Sequence, residues 1–372
     1  MGIGEIDGWS AAPLDSAGDG FRLAQLVTKE VRKHGRHLLG DQLLETLAEI
    51  QHRRGNRDPF LHAFLDAILA RHQDRFRNQT YLALPLLDQV LADPRSGLDP
   101  ERLSALLIAD IVAHESQPSS AGRTDPETRR KRITHAKRLL TALGSADITD
   151  LPLPPRTAAG AWLPLTVLPV SLVHDEYFFI RALQTHELVF RTLTADVQAA
   201  THALRAGQVD AATAALLRAD KVFQRAAMLF RIVATMRADQ FHDFRQFTEG
   251  ASAIQSESYK RFEVCCGEPK PSRIRSEAFT NVPAVQAGAH RQDNVARAFL
   301  DLHRQGRIDD SAGTRLRFAI DQLEASHQRW KITHYRLAAR MLGNAHGSGY
   351  TAGVPYLEQC LRNRLFTTAA GT

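Results

Sequence analysis

Two histidines share one face of what reads as the longest helical segment of the chain. Between residues 311 and 343, Leu316, Ile320, Leu323, His327, Trp330, His334, Leu337 and Met341 alternate by four and three. That spacing collects side chains into one buried stripe of an α-helix. An inward histidine is ordinarily a satisfied core residue. The other chemistry open to it is ligation of a haem iron, which asks for a rigid helix, an apolar wall and a second acceptor that fixes the tautomer. His334, with Trp330 one turn before it and Leu337 and Met341 after it, meets the first two of these. His327 is the next candidate for the same role.

A second group is Phe241-His242-Asp243-Phe244-Arg245. A guanidinium among aromatic rings is costly to bury unless it meets a carboxylate. Arg245 therefore either pairs with an internal Asp or Glu, or takes the carboxylate of an amino-acid ligand through two parallel hydrogen bonds. The third group is Gly347-Ser348-Gly349-Tyr350-Thr351-Ala352-Gly353. It follows a helix, not a strand, and lacks the Lys-Ser/Thr of a phosphate-binding loop, so nucleotide binding is not expected. Such a loop can close over a small substrate and offer it Ser348, Thr351 and backbone amides.

The elements that must position these groups are helical throughout. Residues 21–75 read as two or more helices with a turn at Arg54-Gly55-Asn56. Asp99-Pro100-Glu101 starts a helix to about Ser116, and Asp125-Pro126-Glu127 starts the next. Leu151-Pro152-Leu153-Pro154-Pro155 interrupts helical structure. Beyond it a helix is predicted from about His174 to Arg205, stopping at Gly207, with a return from about Val209 to Phe244 that buries Val222, Ala226, Leu229, Val233 and Met236. A last helix is expected over about 354–366. The expected organisation is a disordered tail over 1–20, a helical N-terminal region over 21–150, a proline-rich connection over 151–173 and the chemistry-bearing core over 174–366. The fold class is all-α, a helix bundle with N-terminal helical additions.

Composition narrows the function classes. Of 372 residues, 44% are hydrophobic and 24% charged, enough to bury a sizeable core. Three cysteines, two of them adjacent, argue against a disulfide framework and for a reducing compartment, and no thiol–imidazole cluster has zinc spacing. No apolar run has spanning length, so no membrane span is expected and the location expected is cytoplasmic. The net charge of +6 is densest at Arg129-Arg130-Lys131-Arg132 and Lys137-Arg138. That solitary patch lacks interleaved aromatics and reads as a solvated helix face, so no nucleic-acid partner is expected.

Three segments, in order, resemble motifs of the tryptophan 2,3-dioxygenases. They are His174-Asp175-Glu176 with Phe179-Ile180, Gln184 and Glu187-Leu188; Asp243-Phe244-Arg245 with Ala251-Ser252 and Gln255-Ser256; and Trp330 through His334, Gly343, Gly347, Gly349 and Gly353 to Tyr356-Leu357. The resemblance implies an all-helical subunit, in a homotetramer or dimer, with haem b held by His334 and a pocket to which Trp330 and Ser252 belong. It implies an aromatic amino acid and O2 as substrates, with Arg245 on the carboxylate, Ser348 near the ammonium and Phe179 beside the ring. Tyr81 falls on a family segment that reaches a neighbouring subunit's site, although Asn78 stands where the family has its first tyrosine.

The departures are equally specific. Leu183 occupies the distal position that is commonly histidine in the family, with His186 three residues on as either a substitute or a structural residue. Tyr350 replaces a glycine, and residues 88–165 look like an insertion. The reaction expected is insertion of O2 across the indole C2–C3 bond of L-tryptophan or a derivative. The alternatives are monooxygenation of a tryptophan or tyrosine derivative, and haem-based sensing without turnover.

Overall fold

Aspartate caps start the helices where the sequence places them. The Asp99 side chain accepts from the Arg102 amide, that of Asp125 from Thr128 and that of Asp309 from Ala312, each with a helix behind it. The computed structural model describes residue 6 and residues 19–54, 57–118, 124–144, 162–249, 256–343 and 353–366. Most of the expected N-terminal tail, the proline-rich stretch, and Ser252, Ser348, Tyr350 and Thr351 lie outside them. The main elements are α1 (Asp19–His34), α2 (Asp41–Arg54), α3 (Pro59–Leu69), α4 (Leu84–Ala92), α5 (Pro100–Ser116), α6 (Pro126–Ala142), α7 (His174–Arg205), α8 (Val209–Val233), α9 (Ala238–Arg245), α10 (Glu257–Cys266), α11 (Val295–Arg304), α12 (Asp310–Leu342) and α13 (Val354–Cys360). Short helical turns fill the intervals. The described β-structure is one parallel pairing of Phe76–Arg77 with Thr248–Glu249 and an isolated antiparallel bridge between His72 and Arg75. No described helix is long and apolar enough to cross a membrane.

The chain divides into two compact units, residues 1–184 with 235–251, and residues 185–234 with 252–372. In the first, α1 to α4 bury Leu23, Val27, Leu47, Phe64, Ile68 and Leu86 around one core. In the second, α8 and α12 pack along their length, and Leu193, Leu216, Phe223, Phe262, Phe299, Leu323 and Trp330 form the core.

Two helices are shorter than their periodicity predicts, and distant side chains are the reason. The return helix ends at Val233, and α9 starts afresh at Ala238. At the break, Arg132 of α6 donates to the Thr235 hydroxyl at 2.9 Å and to its carbonyl at 3.4 Å. The last helix stops at Cys360 and not near 366. There Lys331 takes the carbonyls of Cys360, Leu361 and Asn363, while Glu324 takes the amides of Leu365 and Phe366.

Arg132 also corrects the reading of the basic patch. Arg130, Lys131, Lys137 and Arg138 are exposed as expected, but Arg132 is fully buried. Its guanidinium meets Glu115 at 2.7 Å and Asp175 at 2.9 Å and lies 3.7 Å over the Phe178 ring. A buried cation survives only when paired, and these partners are 17 or more residues away in sequence. Arg132→Met should destabilise the fold by about 3–5 kcal/mol by stranding two buried carboxylates. A shift in the urea midpoint at unchanged slope measures it.

Candidate functional site

The stripe on α12 forms as its spacing predicts, and its two histidines part ways chemically. His327 is 1% exposed and committed: its Nε2 meets the Tyr259 hydroxyl at 2.9 Å, and its Nδ1 faces Glu324 at 3.6 Å. His334 is partly buried and makes no hydrogen bond or ion pair with the described residues. Its ring stacks on Phe230 at 5.7 Å and 9° and lies 5.4 Å from Trp330. Burial with no compensating charge holds its imidazole down at about 4, so it is neutral near pH 7. A neutral, uncommitted imidazole on a rigid helix is what a metal ligand must be.

Trp330 is the hub around which this half of the site is built. It is 3% exposed, and the rings of His186, Phe190, Phe223, Phe230, Tyr259 and His334 surround it. Its indole Nε1 is buried without a hydrogen-bond partner among the described residues. His186 is buried in the same aromatic cluster, 5.2 Å from Phe230. These side chains all belong to the second unit.

The other predicted side chains among the described residues belong to the first unit. Phe179 of α7 is 7% exposed and packs on Phe241 at 5.6 Å and Phe244 at 5.3 Å. Arg245 closes α9 half-buried, with its guanidinium 5.9 Å from the Phe241 ring. Burial first, then the like charge of Arg75, lowers its pKa. Both effects favour an anion beside it. Leu183 is the residue left partly exposed in an otherwise buried stretch from Phe178 to Phe190. Tyr81 is fully buried within this unit, with the Arg36 guanidinium 6.0 Å from its ring and Glu176 beside its hydroxyl.

The polar residues of the His174-Asp175-Glu176 segment serve as scaffold. His174 faces Glu115 at 3.4 Å, Asp175 pairs with Arg132, and Glu176 accepts from the amides of Val170 and Ser171. Burial pushes the Glu176 carboxyl up to about 7 against those hydrogen bonds. Gln184 donates to the carbonyls of Leu82 and Thr166. Sequence reasoning missed these roles, because Glu115, Arg132, Leu82 and the segment before α7 carry no motif that marks them as partners.

Residues 164–292 match the sequence profile of the family described as Tryptophan 2,3-dioxygenase. That span includes Phe179, Leu183, His186, Arg245 and Ser252 and ends before Trp330 and His334. The chain is 28% identical over 232 residues to a tryptophan 2,3-dioxygenase of Ruegeria sp. (strain TM1040), covering 53% of this chain and 82% of that protein. The tryptophan 2,3-dioxygenase of Pseudomonas fluorescens is 25% identical over the same shares. That of Anaeromyxobacter sp. (strain K) is 27% identical over 249 residues, 56% of this chain and 91% of the relative.

Proposed function

We propose that this chain, a divergent member of the tryptophan 2,3-dioxygenase family, inserts both atoms of O2 across the C2–C3 bond of an indole-bearing amino acid, L-tryptophan or a derivative. It is an oxidoreductase of the haem-dependent oxygenase class. The observation that carries the reading is the contrast on α12: His327 is spent on Tyr259 and Glu324, whereas His334 is neutral and uncommitted.

The residues present fit a haem. His334 would ligate the iron, Trp330 and Phe230 would supply apolar wall, and Ser252 would belong to the same pocket. Haem b, when bound, supplies the activation of O2. The protein's own contribution is mainly positioning. Arg245 fixes the substrate carboxylate, and its company of aromatic rings and Arg75 makes an anion welcome there. Phe179, braced by Phe241 and Phe244, would line the pocket for the aromatic ring. Ser348 is assigned to the substrate ammonium, with Thr351 on the same loop, in a homo-oligomer; Tyr81, fully buried within its own unit, is not available to a neighbouring subunit's site.

Leu183 shapes the choice of substrate. Its side chain can neither accept an indole N–H nor donate to oxygen, so no proton passes through this position. A ring nitrogen that carries a carbon substituent, or a phenol in place of an indole, loses nothing there. That favours, as a second reading, insertion of one oxygen atom into a tryptophan or tyrosine derivative. Leu183→His should fold and change either the rate or the product ratio by about a hundredfold, the low end of what a placed proton-handling group contributes. Identical turnover and products would remove Leu183 from the substrate's surroundings.

The deciding experiment supplies reduced, haem-loaded protein with tryptophan, methylated tryptophans and tyrosine under labelled O2, followed by mass spectrometry. A product heavier by two labelled oxygen atoms establishes dioxygenation. A gain of one promotes the second reading, and haem binding without any product points to sensing.

A further inference from the structure

The outward face of α12 carries a second pattern, opposite the buried stripe that holds His334. Phe318 is 58% exposed and Ile332 38%, two of the four large apolar side chains left open among the described residues. A single exposed apolar residue needs no explanation, but these two belong to a series. They lie seven residues to either side of Ala325. Asp321 and Arg329 lie four residues to either side of it, Thr314 and Arg336 eleven, and Asp310 and Arg340 fifteen. Offsets of four, seven, eleven and fifteen all return to one face of an α-helix. All eight of these side chains are exposed, and Ala325 is part-buried. Their neighbours off this face are engaged within the chain: Arg315 pairs with Asp210 at 2.9 Å, and the Arg317 guanidinium lies 5.6 Å from the Phe299 ring. On the face itself, Arg329 donates to the Ser326 hydroxyl and Arg340 to the Ala234 carbonyl. Asp310, Asp321, Arg329, Arg336 and Arg340 form no ion pair among the described residues.

A face of this kind is its own complement. Reading outward from Ala325, acid mirrors arginine, ring mirrors branched alkyl chain, hydroxyl mirrors arginine and acid mirrors arginine again. We propose that α12 pairs antiparallel with α12 of a second copy of this chain, on a two-fold axis at Ala325. Asp321 then stands level with Arg329 of the second copy, Phe318 with its Ile332, and Asp310 with its Arg340. Each contact occurs twice, as an interface made by one patch with itself requires. Charge fixes both direction and register. A parallel, in-register pair would set every arginine against its own copy, and a slip of seven residues either way brings two Arg329 or two Asp321 side chains level. Like charges so placed disfavour those arrangements. Ala325, with the smallest side chain of the series, lies where the two helices come closest. The pairing is independent of the haem reading; because His334 lies on the opposite face, it braces the helix without occupying that histidine's surroundings.

The test is sedimentation equilibrium of the full chain and of its charge-reversed variants. Asp321→Arg and Arg329→Asp should each raise the dissociation constant of the pair by about tenfold or more, since each sets like charges together twice. The double variant D321R/R329D should recover the native association, because opposite charges face each other again. Independently, Ala325→Cys should cross-link to its own copy under mild oxidation. Arg336→Cys should not, because its two copies would lie about 33 Å apart along the helix direction. The unaltered chain, whose thiols are Cys265, Cys266 and Cys360, is the control. A full chain that stays monomeric at micromolar concentration overturns the proposal. So does an assembly that neither single reversal weakens and Ala325→Cys does not cross-link. A double variant that associates no better than the single ones overturns the register. Recovery in the double variant is the result expected, and loss of folding could not produce it.

Discussion

Haem loading is expected to fall to background in His334→Ala, with loss of the histidine-ligated absorption and resonance Raman signature. The other histidine of the stripe is not placed to substitute. His327, one heptad earlier on the same stripe, has its Nε2 on the Tyr259 hydroxyl and its Nδ1 toward Glu324. Freeing it would take from the buried Tyr259 hydroxyl its imidazole partner, which costs about 1–3 kcal/mol. Added imidazole should restore part of the spectrum by filling the space the side chain leaves. An unchanged spectrum in His334→Ala would show that another residue ligates the iron. The same residue predicts a pH dependence of the apoprotein. Burial lowers its imidazole from the ordinary 6.5 to about 4, so the unfolded chain binds the proton more readily. Stability from this group is present above about 6.5 and is lost progressively as pH falls from there to about 4. His334→Phe should lack that part of the acid sensitivity, read as the difference in urea midpoints at pH 7 and pH 5.

Arg245→Ala should reduce kcat/KM by about a hundredfold or more, mostly through KM, while leaving haem content and ligation intact. Hydrogen bonds to a charged group contribute about 1.5–3 kcal/mol each, and a guanidinium offers a carboxylate two of them. Arg245→Lys should recover only part, since an ammonium cannot present the paired geometry. The matching test is decarboxylated substrate: tryptamine should be as poor with the native chain as tryptophan is with the variant, and the variant should no longer distinguish the two. A variant with undiminished kcat/KM would return Arg245 to a packing role. A haem response that survives alongside an absence of turnover in the native chain would favour sensing.

The sequence made the frame of the fold legible wherever structure depends on local chemistry. Asp99 and Asp125 mark helix starts because a cap acts within its own turn, and Asp309 caps α12 in the same way although it was not read as a start. Gly207, with φ of 76°, marks the stop of α7 because the left-handed region excludes most side chains. The stripe on α12 came through intact because periodicity alone decides which face is buried. Illegible were the events set by remote partners. The break after Val233 depends on Arg132, about a hundred residues earlier, and the early end of α13 depends on Lys331 and Glu324. Arg132 itself was hidden in a run of like charges, since nothing local separates the buried cation from its solvated neighbours. In the site, spacing paired His327 and His334 as equals. Only the packing shows that one of them is already engaged.

The Arg132 cluster also bears on how this chain acquired its present length. The resemblance to shorter relatives makes residues 88–165 look like an insertion, yet Glu115 and Arg132 within it neutralise and orient His174 and Asp175, and Arg132 ends α8 through Thr235. Excising the segment would uncover an acidic residue and an unmatched helix terminus at once. In this chain the segment therefore braces the motif, and a version trimmed of residues 88–165 should unfold at a lower urea midpoint than the full chain.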